Sequence, residues 1–382
     1  MDTYVQKISK SVSLVASKKT WIEDLAVQQL VKTSELEGMT SVVGMPDLHP
    51  GKSYPIGAAF FSLDRIYPAL VGNDIGCGMS LWQSDQLISK LNKDKWVKKL
   101  KDLESPLAGD WQSLISEERT RRNIDSTGFD SSLGTIGGGN HFAEFQEVDE
   151  VINDVIFNDL NLDKNNAILL VHSGSRGLGH SILDAYLSAY NHDAVFSNTQ
   201  AFFEYMNKHN MALRWAELNR YLIAKRFCRS VNIKANMILD VNHNLVTEAV
   251  IDNQTGYLHR KGATPSDKGV VVIPGSRGDY TYLVKPLDND IALNSLAHGA
   301  GRKWKRGDCQ ARLSSKYSKE DLNRTKFGSR VICGNKELLY DEAPQAYKKC
   351  SSVIESMLDA GLIEVIAKLK PLITFKTEGS CS

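Results

Sequence analysis

Apolar residues recur along this chain in two rhythms. Across 179–232, Phe203, Met206, Leu213, Trp215, Leu218, Leu222 and Phe227 return at spacings that place them on one side of a helix, and the length of the block predicts a helix pair. "TSVVGMPDLHPGKSYPIGAAFFSL" (40–63) reads instead as strand, loop, strand, with Pro46, Pro50 and Pro55 holding extended or turning backbone. Compact β-branched runs predict strands at 235–244, 269–276 and 371–376. The lysine- and leucine-rich stretch 84–103 reads as helical, and so does 341–369. Helices and strands do not alternate regularly, so the expected class is α+β rather than a doubly wound sheet, with 179–232 as a helical insertion. No repeat and no Pro/Gly/Ser-rich linker divides the 382 residues, so one folded unit over 1–382 is expected.

Composition narrows the picture only slightly. Apolar content of 42% and charged content of 24% fit a water-soluble globular chain. A formal net charge of +1 means that any polyanion site must be a local patch. The basic clusters "KDKWVKK" (93–99), "RTRR" (119–122) and "KRFCR" (225–229) read as solvated faces. "RKWKR" (302–306) differs, because it begins inside a glycine-rich motif where cations could guide a polyanion. No apolar run approaches the roughly 20 residues that span a bilayer. The six cysteines follow no zinc-ribbon or CxxC spacing, so they read as reduced thiols of a cytoplasmic protein.

The chemistry gathers where ligand-type residues lie among glycines. "LVGNDIGCGMSLW" (70–82) offers Asp74 and Cys77, and "GTIGGGNHFAEF" (134–145) offers Asn140, His141 and Glu144. "LLVHSGSRGLGH" (169–180) gives His172 and Arg176, "LDVNHNLV" (239–246) gives His243 and Asn244, and "LAHGAGRKWKR" (296–306) gives His298 and Arg302. Glycine beside a ligand lets backbone approach a metal or anion closely. One carboxylate, one thiolate and three imidazoles can hold two divalent ions if the sulfur bridges, a common device for phosphoryl chemistry. His49 reads as a structural or supporting residue. His180, His192, His209 and His259 lack convergent neighbours, and Cys228, Cys309, Cys333, Cys350 and Cys381 read as incidental thiols.

Taken in order, "DIGCGM", "GGGNHFAE", "HSGSRGLG", "HRKGAT", "IPGSRG", "HGAGR" and "DEAPQAYK" resemble the RtcB family of RNA-splicing ligases, from about Met45 to Lys376. The resemblance implies an α+β catalytic domain with central sheets and flanking helices. It implies a ligase using GTP and two manganese ions, which joins RNA ending in a 3′-phosphate or 2′,3′-cyclic phosphate to a 5′-hydroxyl. Carried over by motif, His298 is the guanylylated nucleophile, and Asp74, Cys77, His141, His172 and His243 hold metal, with Cys77 bridging. Asn140, Glu144, Asn244, Ser276, Thr281, Arg302, Tyr347 and Lys376 hold GTP, and Arg176 meets the RNA end. Similarity to the branch associated with a peptide-release-factor homologue implies repair of cleaved tRNA or rRNA, and an archease-like activator is a further implied partner. Asn73, Arg277 and Thr281 stand where the family's usual motifs carry Val, Met and Ser. Two alternatives remain open at this point: a metal-dependent cyclic phosphodiesterase that does not ligate, and a catalytically silent RNA-binding protein.

Overall fold

The computed structural model describes residues 4–17, 20–101, 103–288 and 290–376. Two sheets organise it. One has six strands, in the spatial order Val5–Lys7, Val12–Val15, Met39–His49, Ile56–Ser62, Gln254–Lys261, Asn244–Ile251. The other has eight. Its path runs Ala235–Asn242, Gly78–Leu87, Asn166–Ser173, Phe142–Val151, Ile363–Phe375, Thr281–Pro286, Val271–Pro274, with Arg330–Ile332 paired alongside Ile363–Phe375. Most pairings are antiparallel, and the helices follow no βαβ alternation, so the α+β class expected from the sequence holds.

A large apolar core unites the two sheets: Val43, Met45 and Phe61 of the first pack in one cluster with Leu81, Leu170 and Ala367 of the second. His243 stands where the chain leaves one sheet for the other, between the edge strands Ala235–Asn242 and Asn244–Ile251.

The expected helix pair forms as Gly177–Tyr190 and Gln200–Val231. Thr199 caps the longer helix, its hydroxyl accepting from the Phe202 N–H, and Asn232 ends it in left-handed backbone. Trp215, Leu218 and Leu222 are fully buried, so this helix is held by its apolar face. Buried on the same helix are Asn219 and Arg220, and these two polar residues tie down the loops of the site described below.

Two sequence expectations are overturned. The stretch 341–369 is not one helix. It holds the end of the helix Lys336–Asp341, a turn at Pro344–Ala346, the helix Cys350–Asp359 and then the thirteen-residue strand Ile363–Phe375. Gly361, with φ of +66°, breaks the helical run, and "IEVIAKLK" places its charged residues at alternate positions. In 84–103 the strand Gly78–Leu87 continues well into the region, and only Lys93–Lys99 is α-helical, capped by Asn92. The strand expected at 371–376 is the end of Ile363–Phe375, and those at 235–244 and 269–276 form as Ala235–Asn242 and Val271–Pro274. Among the described residues no helix is long and apolar enough to cross a membrane.

Candidate functional site

Strand register builds the site. Gly78 pairs with Asn242 on one side and Ser173 on the other, and Phe142 pairs with His172. His243, Cys77, His172 and His141 therefore emerge from one end of four adjacent strands, in sheet order. The next strand pairs Phe375 with Ala143, which brings Lys376 to the same rim. Residues more than 200 positions apart become neighbours through these ladders.

The side chains converge. Cys77 Sγ is 3.3 Å from His141 Nε2 and 3.2 Å from His172 Nε2. His172 Nε2 is 3.3 Å from His243 Nε2, and His141 Nε2 is 2.8 Å from Asp74 Oδ2. Two groups fit a cation, Cys77–His172–His243 and Asp74–Cys77–His141, with Cys77 common to both. The donor set fits a pair of divalent ions, and the environment agrees. Burial, then the neighbouring imidazoles, lowers the pKa of His172 well below the ordinary value, so its lone pair is free for a cation; burial and His298 do the same for His243. Burial and Asp74 push the Cys77 thiol up, so its thiolate form requires a cation beside it. Burial alone would raise Asp74, but His141 outweighs it and holds the carboxyl below its usual range.

Glycine makes this convergence possible at Gly174. A methyl group there would lie 2.0 Å from Asp74 Oδ1, so no other residue leaves the carboxylate its place.

A cavity of about 860 Å³ opens from this centre. His298, the first residue after the strand Ser295–Ala297, lines it, and its ring centroid is 4.9 Å from that of His243. Asp47, fully buried, sets Oδ2 2.7 Å from His298 Nδ1 and accepts the His298 backbone N–H at 3.2 Å. Asp47 thus covers the Nδ1 edge of the ring and leaves the Nε2 edge as the one away from the acid. His49 stands in the same wall with Nδ1 2.9 Å from the Asp47 carbonyl, a supporting place, as the sequence suggested.

Farther along the cavity, buried Glu342 gathers cations. Arg302 Nη1 donates to Oε1 at 3.0 Å and Lys376 Nζ to Oε2 at 3.0 Å, and Arg306 Nε is 3.4 Å from Oε1. The Tyr347 hydroxyl donates to Oε2 at 2.5 Å. Burial would raise the Glu342 pKa, but Lys376, Arg306 and Arg302 hold it down to about 2. Glu144 faces the same end. It accepts from Gln146 Nε2 at 2.7 Å and from the Thr374 hydroxyl, and burial pushes its pKa up to about 7.

Asn140, Asn244, Ser276 and Arg176 also line the cavity. The Asn244 amide is engaged in the framework: Nδ2 donates to the Asp74 carbonyl at 3.1 Å, and Oδ1 accepts from the Gly262 N–H at 2.7 Å. Thr281 alone of the expected residues is absent from the lining. Its hydroxyl accepts from Gln146, which places it behind Glu144. His209 and His259 are structural, accepting the backbone N–H groups of Val246 and Tyr67. His180, set aside in the sequence, does reach the cavity rim, paired with Asp184 at 3.1 Å; His192 does not line it. Cys228, Cys309, Cys333 and Cys350 are buried and unpaired, and Cys381 lies outside the described residues.

Three site residues escaped the sequence reading: Asp47, Glu342 and Arg220. Arg220 donates to the carbonyls of Gly76 at 2.7 Å and Ser173 at 2.9 Å, to Asn242 Oδ1 at 2.7 Å, and to Asp240. Those first three partners are the immediate neighbours of Cys77, His172 and His243. Asn219 adds bonds to the Ser173 hydroxyl and the Gly174 carbonyl. A polar pair in an otherwise apolar helical stripe was the available signal.

A five-residue soft-and-hard donor set that could hold cations thus gathers at the end of an antiparallel sheet, facing a histidine set beside a buried acid. The chain belongs to the family described as tRNA-splicing ligase RtcB, which it matches over residues 29–126 and 109–377. It is 50% identical over 379 residues to RNA-splicing ligase RtcB2 of Escherichia coli, covering 99% of each chain. It is also 27% identical to the tRNA-splicing ligase RtcB of Nanoarchaeum equitans, covering 98% of each, and 26% identical to that of Archaeoglobus fulgidus, covering 92% of this chain and 91% of the relative.

Proposed function

We propose that this protein is a GTP- and manganese-dependent RNA ligase that joins 3′-phosphate or 2′,3′-cyclic phosphate ends to 5′-hydroxyl ends, working as one catalytic unit over 1–382. The observation that carries the reading is the brace between Asp47 and His298 beside the paired cation groups. With Nδ1 engaged, His298 Nε2 attacks the α-phosphorus of GTP, and pyrophosphate leaves. An oxygen of the RNA 3′-phosphate then attacks the same phosphorus, the imidazole departs, and RNA-3′-pp-G forms; a cyclic phosphate is first opened by water. The 5′-hydroxyl attacks the RNA phosphate, and GMP leaves. Capping is needed because a bare phosphate monoester would have to expel oxide.

Asp74, Cys77, His141, His172 and His243 hold the two manganese ions, which supply charge neutralisation at the phosphates when bound. Arg302, Tyr347 and Lys376, gathered by Glu342, receive the nucleotide, with Asn140, Asn244 and Ser276 lining its path. The Glu144 carboxylate accepts the ring and amino N–H groups of guanine, and Thr281 steadies it through Gln146. Arg176 meets the RNA end. The five unpaired cysteines of the described residues support a reducing, cytoplasmic setting. Repair of cleaved tRNA or rRNA, with an archease-like activator and a functional link to a release-factor homologue, is the cellular role proposed.

Labelled GTP with manganese should mark the wild-type protein and leave His298→Ala unmarked, and the wild type should seal a broken RNA hairpin. Opening of cyclic phosphate without labelling or sealing would replace this reading with that of a phosphodiesterase.

A further inference from the structure

Lys261 ends the strand Gln254–Lys261 and lines the same cavity. The residue after it, Gly262, lies under the His298 ring, so close that a methyl group on it would be 2.8 Å from Cε1. Gly72, two residues before Asp74, lies on the other side of the Lys261 side chain. A methyl group there would meet Nζ at 3.2 Å and Cε at 3.3 Å, and the φ of +87° at Gly72 suits glycine. The ammonium thus stands against Gly72 in the loop that carries Asp74, on a residue whose chain neighbour, Gly262, packs against His298.

Among the described residues this ammonium has no hydrogen-bond or ion-pair partner. Burial alone pushes its pKa down to about 8, and no carboxylate pulls it back. The acids of the cavity are engaged elsewhere: Asp74 with His141, Glu342 with Arg302 and Lys376, Asp184 with His180, and Glu144 with Gln146 and Thr374. Lys261 is half-buried, facing the cavity, whereas the two fully enclosed lysines among the described residues are satisfied. Lys348 donates to the carbonyls of Pro46 and Leu48 at 3.0 and 2.9 Å, and Lys376 donates to Glu342. A partly desolvated cation without a counter-charge is left under-solvated, and an anion in the cavity removes that cost.

We infer that Lys261 is an oxyanion subsite that receives a phosphate group between His298 and the Asp74 loop. The inference rests on the ligase reading and adds to it a residue with no role assigned above. Phosphate oxygens reach this place from two sources, the triphosphate tail of the nucleotide or the terminal phosphate of the RNA. A charge-assisted hydrogen bond there is worth on the order of 10- to 100-fold in binding or rate.

The test pairs Lys261→Met, which keeps an unbranched apolar stem, with Lys261→Arg, which keeps the charge. Protein labelling from GTP and transfer of GMP from pre-labelled protein to an RNA 3′-phosphate are measured separately. A raised KM for GTP with normal transfer assigns the nucleotide tail. Normal labelling with transfer slowed 10- to 100-fold assigns the RNA phosphate. In both cases Lys261→Arg should recover part of the loss. Independently, acylation of Lys261 in the wild-type protein by an amine reagent, read by mass spectrometry, should be suppressed by inorganic pyrophosphate or by a 3′-phosphorylated oligonucleotide; this readout holds even if Lys261→Met does not fold. Unchanged rates in a folded Lys261→Met protein, or acylation that neither anion suppresses, overturns the inference. A wild type that never accepts label from GTP, yet is protected by pyrophosphate, would sink the ligase reading and leave the subsite standing.

Discussion

Asp47 grips His298 at two points, with one carboxylate oxygen 2.7 Å from the ring Nδ1 and 3.2 Å from the backbone nitrogen. The contact sets the aim of the imidazole, so its removal should act on the first chemical step. Asp47→Asn keeps the shape of the side chain but not its charge. Labelling by GTP should fall by roughly 10²- to 10⁴-fold, the usual span for a lost acid–base partner. Bound manganese should stay at the wild-type level, because Asp47 touches none of the five donors. Normal labelling kinetics would make the contact merely structural.

Arg220 offers a different test, since it reaches the site only through the neighbours of Cys77, His172 and His243. Arg220→Met frees the carbonyls beside Cys77 and His172 and leaves Asp240 without its buried partner. Breaking such a pair costs roughly 3–5 kcal/mol, and loosened supports typically weaken a metal site about 10- to 100-fold. A manganese titration alongside thermal melting should show both losses together. Lost stability with unaltered manganese affinity would confine Arg220 to the core.

The pH response should centre on Glu144. Its pKa in the folded protein is about 7 against an ordinary 4.5, so between these values the folded chain keeps a proton that the unfolded chain releases. The associated stability is complete below pH 4.5 and is lost as pH rises through 7, amounting to about 3 kcal/mol. Glu144→Gln has no such loss, so its melting temperature relative to wild type should climb between pH 5 and pH 8. GTP labelling should run the other way in the wild type, strengthening as the carboxylate forms, and should be weak and flat in Glu144→Gln. A parallel pair of melting profiles would contradict the assignment.

Cys77 belongs to both cation groups, so its loss should be felt by both. Cys77→Ala should melt near the wild-type temperature without metal and should lack the rise that manganese gives the wild type. Metal analysis should show less than one ion retained per chain. Collapse of the fold in this variant, with or without manganese, would show the sulfur to be a packing element.

What the sequence made legible was chemistry written locally. Asp74, Cys77, His141, His172, His243 and His298 each sit among small residues, and they meet as the motifs implied. The strands around 40–63 and the helix pair were legible from their periodicities. Asp47, Arg220 and Glu342 were not, because each draws its role from partners far away in the chain: Asp47 from His298, Glu342 from Lys376 and Arg302, Arg220 from Gly76, Ser173 and Asn242. The strand Ile363–Phe375 was hidden for another reason. Apolar residues line both of its faces between neighbouring strands, so its alternation is diluted, and a helix immediately precedes it.

That strand carries one more consequence. It lies between Phe142–Val151 and Thr281–Pro286, and it is synthesised after both. On the ribosome, therefore, the two flanks of the eight-stranded sheet wait unjoined until the last part of the described chain emerges. A message cut short, or a stalled ribosome, would yield a chain that carries all five candidate metal donors but lacks Lys376 and the strand that joins the two flanks.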